Sequence, residues 1–224
     1  MKTKKDNSFW PSYTDLMTSL FFIMLVLYVL TYVRLNSTIK LQKEKLAIIE
    51  AVEQNLKPLK QDTILFKYEK KYKRFVLAFD VKFKSGKFLL KHDEIEIDPE
   101  GTLKNINLAG KKLLQTIDKL NFERENNSKL SNVSYLVIIS GYASIKGRFF
   151  DNYDLSYHRA LHLWDYWKFN NINFEDPKYE GLIDLQIAGN GLGGTGRIPY
   201  TSEFEDEKNQ RFIIQIVPKI GNAN

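Results

Sequence analysis

Two hydrophobic patterns divide the 224-residue chain. From Leu16 to Val33 no charge occurs, and only Thr18, Ser19, Thr31 and two tyrosines interrupt the apolar run. With Phe9 to Thr14 added at the front, the run reaches the ~20 residues that a helix needs to cross a bilayer. Trp10 near one end, and Tyr32 and Arg34 at the other, suit the two interfaces. A cleaved signal peptide would have a shorter apolar core followed by a small-residue site, and "YVRLNSTIKLQ" has none. The pattern therefore predicts a tail over 1–8 and one retained transmembrane helix over 9–34.

Residues 35–66 are polar with spaced aliphatics and contain no glycine. Ile39, Leu46, Ile49 and Leu56 fall near a heptad seam, with Gln42 and Glu53 as misfits. The seam predicts a helical linker that pairs with a second copy of the chain. An unpaired, solvated helix is the alternative, because the seam is shorter than a sustained coiled coil.

From 67 to 224 the period changes. In "RFVLAFDVKF", Phe75, Leu77, Phe79, Val81 and Phe83 alternate as one face of a strand, and "KSGKF" follows as a turn. "DPEG" starts a helix with Asp98 as cap and Pro99 at the first helical position. Leu103, Ile106, Gly110, Leu113, Leu114 and Ile117 form its apolar face. "VSYLVIISGY" reads as a buried strand, and Ala160, Leu163, Trp164 and Trp167 mark the core face of a second helix. "LIDLQIAG" and "RFIIQIVPKI" close the pattern as strands. The expected fold is α+β, in the order β-α-β-α-β-β, with helices covering one side of one sheet.

Composition narrows the chemistry. Lys and Arg exceed Asp and Glu by 33 to 27, a mild excess spread along the chain. With no zinc-finger spacing and no arginine-rich arm, direct nucleic-acid binding is not expected. The absence of cysteine excludes thiol catalysis, disulfides and cysteine metal sites. His158 and His162 have the spacing of a helical zinc pair, but no Glu stands at 159 and no third ligand is evident, so they read as surface histidines and no metal is expected. "GNGLGGTG" (Gly189 to Gly196) lacks the Lys-Ser/Thr ending of a phosphate loop and reads as a connection between strands. No nucleophile–base set or carboxylate pair is apparent, so the chain is not expected to be an enzyme. Asp15, at the mouth of the membrane run, is either a helix cap or a carboxylate that takes up and releases an ion. Lys2, Lys4 and Lys5 on one side are matched by Arg34, Lys40, Lys43 and Lys45 on the other, so charge does not orient the helix.

Two stretches carry family resemblance. "WPSYTDLMTSLFFIMLVL", with its core of Tyr13, Thr14, Asp15, Leu16, Met17 and Thr18, resembles the membrane segment of MotB-type stator subunits. The resemblance implies that Asp15 binds the transported ion, H+ or Na+, and that no other cofactor is needed. It also implies a homodimer inside a ring of multi-span MotA-like subunits. The expected location is a bacterial inner membrane, with a cytoplasmic N-terminus and a periplasmic C-terminal domain.

Further along, "FKSGKFLL" (Phe83 to Leu90), "GYASIKGRFFDNYDLSYHRA" and "NQRF" resemble the signatures of OmpA-like peptidoglycan-binding domains. That resemblance covers about Phe75 to Val217. It implies a peptide stem of peptidoglycan as ligand, and a site made of Asn152, Leu155, Ser156, Arg159, Arg211 and Ser144. An arginine fork suits the stem's carboxylate. Ser144 stands where that family usually has Asp, and Gln210 replaces the first arginine of the closing motif. Asp151 or Asp154 is expected either to supply the missing charge or to cap the helix. The short helical linker resembles the ZorB subunit of Zorya anti-phage defence systems, whose ring partner is ZorA-like. The alternatives are a flagellar MotB-type subunit, or a passive wall anchor or sensor without ion transport.

Overall fold

The computed structural model describes residues 9–127, 130–146, 148–195 and 197–220. The expected tail over 1–8 lies outside them, as does the side chain of Trp10. The chain forms two compact units, one ending at Ala47 and one beginning at Ile48.

The first unit is the N-terminal part of helix α1 (Phe9–Asn55). Pro11 falls in its first turn, where the missing N–H would have had no helical partner. Every described side chain from 13 to 47 is exposed, including Leu16, Phe21, Met24, Tyr28 and Val33. A helix apolar on every side suits hydrocarbon rather than water. By length and composition α1 is long and apolar enough to cross a membrane. Two threonines of the run satisfy their hydroxyls internally. Thr18 Oγ1 donates to Thr14 O at 2.7 Å and Thr31 Oγ1 to Leu27 O at 2.7 Å, as lipid requires of polar groups.

The second unit is built on a five-stranded sheet with the order β1-β2-β5-β3-β4. The strands are β1 (Phe66–Glu69), β2 (Arg74–Leu77), β3 (Val133–Gly141), β4 (Ile183–Gly189) and β5 (Phe212–Ile220). Only β3 and β4 are parallel, and they are joined through helix α4 (Phe149–Phe169). Helix α3 (Pro99–Asn126) links β2 to β3. The fold is the expected α+β arrangement, with one strand added at the front. Phe66–Glu69 is only four residues of "FKYE" beside a lysine-rich turn, too short and too polar to show a period.

The alternation at 75–83 also resolves differently. β2 stops at Leu77, yet Val81 and Phe83 are still buried. They belong to a loop closed by an isolated Phe83–Ile95 bridge and by Glu96 N donating to Lys82 O at 2.8 Å. Side chains there alternate in burial although the backbone has left the sheet.

α3 starts as expected, with Asp98 Oδ1 accepting from Gly101 N at 3.1 Å ahead of Pro99. Ile106, Ala109, Leu113, Ile117 and Leu120 of α3 share one core with Ala160, Leu163 and Trp167 of α4 and with Val133, Tyr135, Val137 and Ile139 of β3. Each such large apolar side chain contributes ~1.5–3 kcal/mol on burial. Trp167 is fully buried, and its Nε1 donates to Ile106 O at 2.8 Å. A Cβ at Gly110 would fall 2.4 Å from that nitrogen, which is why this helix position holds glycine.

Val52, Leu56 and Leu59 are buried in the domain core, whereas Ile39, Leu46 and Ile49 are exposed. The last member of the heptad seam thus packs on its own domain. Short α2 (Lys57–Gln61) follows, set off from α1 by Pro58, which has no N–H with which to continue the helical ladder of α1.

Candidate functional site

The end of β3 and the first half of α4 build a cleft in the second unit. Gly141 permits their close approach, since a Cβ there would lie 2.1 Å from the backbone oxygen of Ser156. Ser156 is fully buried and works beneath the cleft. Its Oγ donates to Tyr153 O at 2.8 Å and accepts from Gly191 N at 2.8 Å, tying the glycine-rich loop to α4. The segment after β3 is anchored from the other side. Buried Asp206 accepts from Ile145 N and pairs with Arg197, and Arg197 Nη1 donates to Ala143 O at 3.0 Å. Asn209 clamps the Ile198 backbone, with Oδ1 accepting from Ile198 N at 2.8 Å and Nδ2 donating to Ile198 O at 3.0 Å.

The cleft has a volume of about 440 Å³ and brings together Ser144, Asn152, Leu155 and Arg159, four of the expected residues. Its far wall is the "KSG" turn, with Lys82, Phe83, Lys84, Ser85 and Gly86. Arg159 is 4% exposed, and burial pulls its pKa down to about 10. Its Nε donates to Lys87 O at 3.2 Å and its guanidinium lies 4.6 Å from the Phe83 ring centre. Among the described residues no carboxylate forms an ion pair with it. Asn152 is 3% exposed, and its Nδ2 has no hydrogen-bond partner among the described residues. Gln210 also lines the cleft, with Nε2 donating to Ser144 Oγ at 3.0 Å and Oε1 buried without a partner among the described residues.

Arg211 does not join them. It pairs with Glu69 of β1 at 3.2 Å, and Glu69 also holds Arg74 at 2.7 Å. Neighbouring residues entering a strand point to opposite sides, so Gln210 toward the cleft sends Arg211 away from it. Asp151 and Asp154 are also elsewhere. Asp151 binds exposed Arg148, and Asp154 lies 3.5 Å from His158. The acids that line the cleft are Glu96 and Glu207, which sequence reasoning missed because they fall outside the signature segments. Glu207 bonds Lys146 at 2.7 Å and Lys82 at 3.0 Å, and those hydrogen bonds lower its pKa.

The rings of His158 and His162 both stack on Phe88, at 5.1 and 5.2 Å. Together with the Arg159 bond to Lys87 they fasten the turn segment to α4. Burial lowers the pKa of His162.

In the first unit, the Asp15 side chain is exposed one turn from Thr18 and directly precedes the uncharged run. No described residue of its own unit covers it, so any group that closes around this carboxylate comes from another molecule or from elsewhere in the chain.

No protein-family model matches the chain, and no curated protein does so. Similar solved structures include a MotB-like protein from Desulfovibrio vulgaris, 14% identical over 76% of this chain and 96% of that one, with a TM-score of 0.41. An outer membrane protein from Borrelia burgdorferi is 20% identical over 68% of this chain and 96% of that one, with a TM-score of 0.38. The cell wall anchor of the type VI secretion system from Pseudomonas aeruginosa is 14% identical over 76% of this chain and 97% of that one, with a TM-score of 0.36.

Proposed function

We propose that this chain is the wall-anchored, ion-binding B subunit of a proton- or sodium-driven membrane motor. α1 crosses a bacterial inner membrane once, with the N-terminus in the cytoplasm. Paired copies sit inside a ring of multi-span MotA- or ZorA-like subunits, and Asp15 takes up and releases the ion against that ring. The second unit lies in the periplasm and holds the peptide stem of peptidoglycan. Ion flow then turns the ring around a fixed axis.

The observation that carries the wall-binding part is Arg159, a buried guanidinium without a carboxylate among the described residues, in a cleft that also holds the unpartnered amide of Asn152. A charge left in that state costs stability unless a ligand completes it. Asp15 within the Tyr-Thr-Asp-Leu-Met-Thr core favours a motor over a passive anchor. The Zorya type is favoured over the flagellar type by the short connection. Within α1 (Phe9–Asn55) the stretch after the membrane run is helical rather than an extended coil.

Retention of the detergent-solubilised chain on purified peptidoglycan tests the reading. The wild type is retained and Arg159→Ala is washed off. Equal retention of the two would remove Arg159 from the site, and no retention of either would remove the wall from the function.

A further inference from the structure

We infer that the cleft reads a carboxylate adjoining a peptide bond and is indifferent to an ammonium group on the same ligand. This deepens the wall-binding reading and rests on it. The lining carries four cations, Arg159, Lys82, Lys84 and Lys146, against two acids, Glu96 and Glu207. Neither acid is unshared. Glu207 bonds Lys82 and Lys146, and Glu96 lies 3.9 Å from Lys82. Ser144, the polar group at the end of β3, is already engaged by Gln210 and carries no charge. An entering ammonium would therefore meet a lining in which cations outnumber acids and Glu207 is already bonded to two lysines, at little or no net gain.

An entering carboxylate meets the opposite situation. The Arg159 guanidinium offers donors in the planar fork that matches a carboxylate. The buried Nδ2 of Asn152 and the buried Oε1 of Gln210 supply one donor and one acceptor without partners among the described residues. One donor and one acceptor are the complement of a peptide group, which presents one C=O and one N–H. At about 440 Å³ the cleft falls within the usual ~300–1,000 Å³ of small-ligand sites. The ligand it fits is the carboxylate end of a short peptide.

The test is calorimetric titration of the full chain in detergent with three synthetic stem tripeptides ending in diaminopimelate. One is unmodified, one is acetylated on the side-chain amine, and one has its terminal-residue carboxylates amidated. Acetylation is expected to change Kd by less than about threefold, and amidation to weaken binding about tenfold or more. A tenfold loss on acetylation would overturn the inference while leaving wall binding in place. If none of the three peptides binds, the inference and the wall-binding reading both fall.

Discussion

Replacing Arg159 by methionine separates a structural arginine from one held ready for a ligand. Methionine keeps the unbranched apolar stem of the side chain and removes the charge. Burial brings the Arg159 pKa down to about 10, which at about 1.36 kcal/mol per pH unit costs the folded state roughly 3 kcal/mol. Two contacts offset this. The bond from Nε to Lys87 O contributes about 1.5–3 kcal/mol for a charged donor. The stack on Phe83 contributes about 0.5–2 kcal/mol. The terms nearly cancel, so Arg159→Met should shift the unfolding free energy by less than about 2 kcal/mol without ligand.

The sign with pH is fixed by the order of the two pKa values. The folded state gives up this proton before the unfolded state does. The cost is therefore complete below about pH 10 and fades as pH rises beyond it toward the ordinary arginine range, raising stability in that alkaline window. Arg159→Met removes this rise. Urea unfolding of the full chain, followed by the emission of buried Trp167, measures both quantities. A saturating stem peptide at 100 times Kd should add ~2.7 kcal/mol to the wild type and nothing to the variant. A loss above about 4 kcal/mol without peptide would show that the charge is already paired within the fold, and would refute the reasoning.

Other substitutions probe the frame around the cleft. Gly141→Ala places a methyl 2.1 Å from the backbone oxygen of Ser156, so α4 must move. Unfolding should show a loss of about 1–3 kcal/mol or more, and peptide titration a weakened site. Ser156→Ala leaves the buried Gly191 N–H without its acceptor, which should cost about 1–3 kcal/mol in urea and increase hydrogen exchange at Gly191. Ser144→Asp adds an acid to the cleft lining, so acetylating the ligand amine should weaken binding in this variant and not in the wild type.

Much of the fold was legible because it follows from strong local signals. The uncharged run from Leu16 to Val33, the Asp98–Pro99 start of α3, and the face of Ala160, Leu163 and Trp167 on α4 each carry a period or a cap that side-chain chemistry dictates. β1 was not legible, since its pairing with β2 comes from the turn between them rather than from its own pattern. The apolar Val52, Leu56 and Leu59 could serve a partner helix or the chain's own core, and only the folded domain decides between these. In the site, Ser144, Asn152, Leu155 and Arg159 all fall within the one segment "GYASIKGRFFDNYDLSYHRA", and the fold brings them to one cleft. Arg211 lies outside the cleft lining because a one-residue offset at a strand entrance reverses which side chain faces the cleft. Glu96 and Glu207 meet the site only through tertiary folding, and the lysines that neutralise them are equally scattered along the sequence.

The measurement closest to the central claim is ion flux through the complex purified from membranes after co-expression with its multi-span ring partner. Wild-type and Asp15→Asn complexes should be compared side by side in proteoliposomes. The account predicts the same assembly for both, with paired copies of this chain inside a ring, and flux only in the wild type. A chain that purifies without any ring partner while still binding cell wall, or an Asp15→Asn complex that conducts like the wild type, would contradict it.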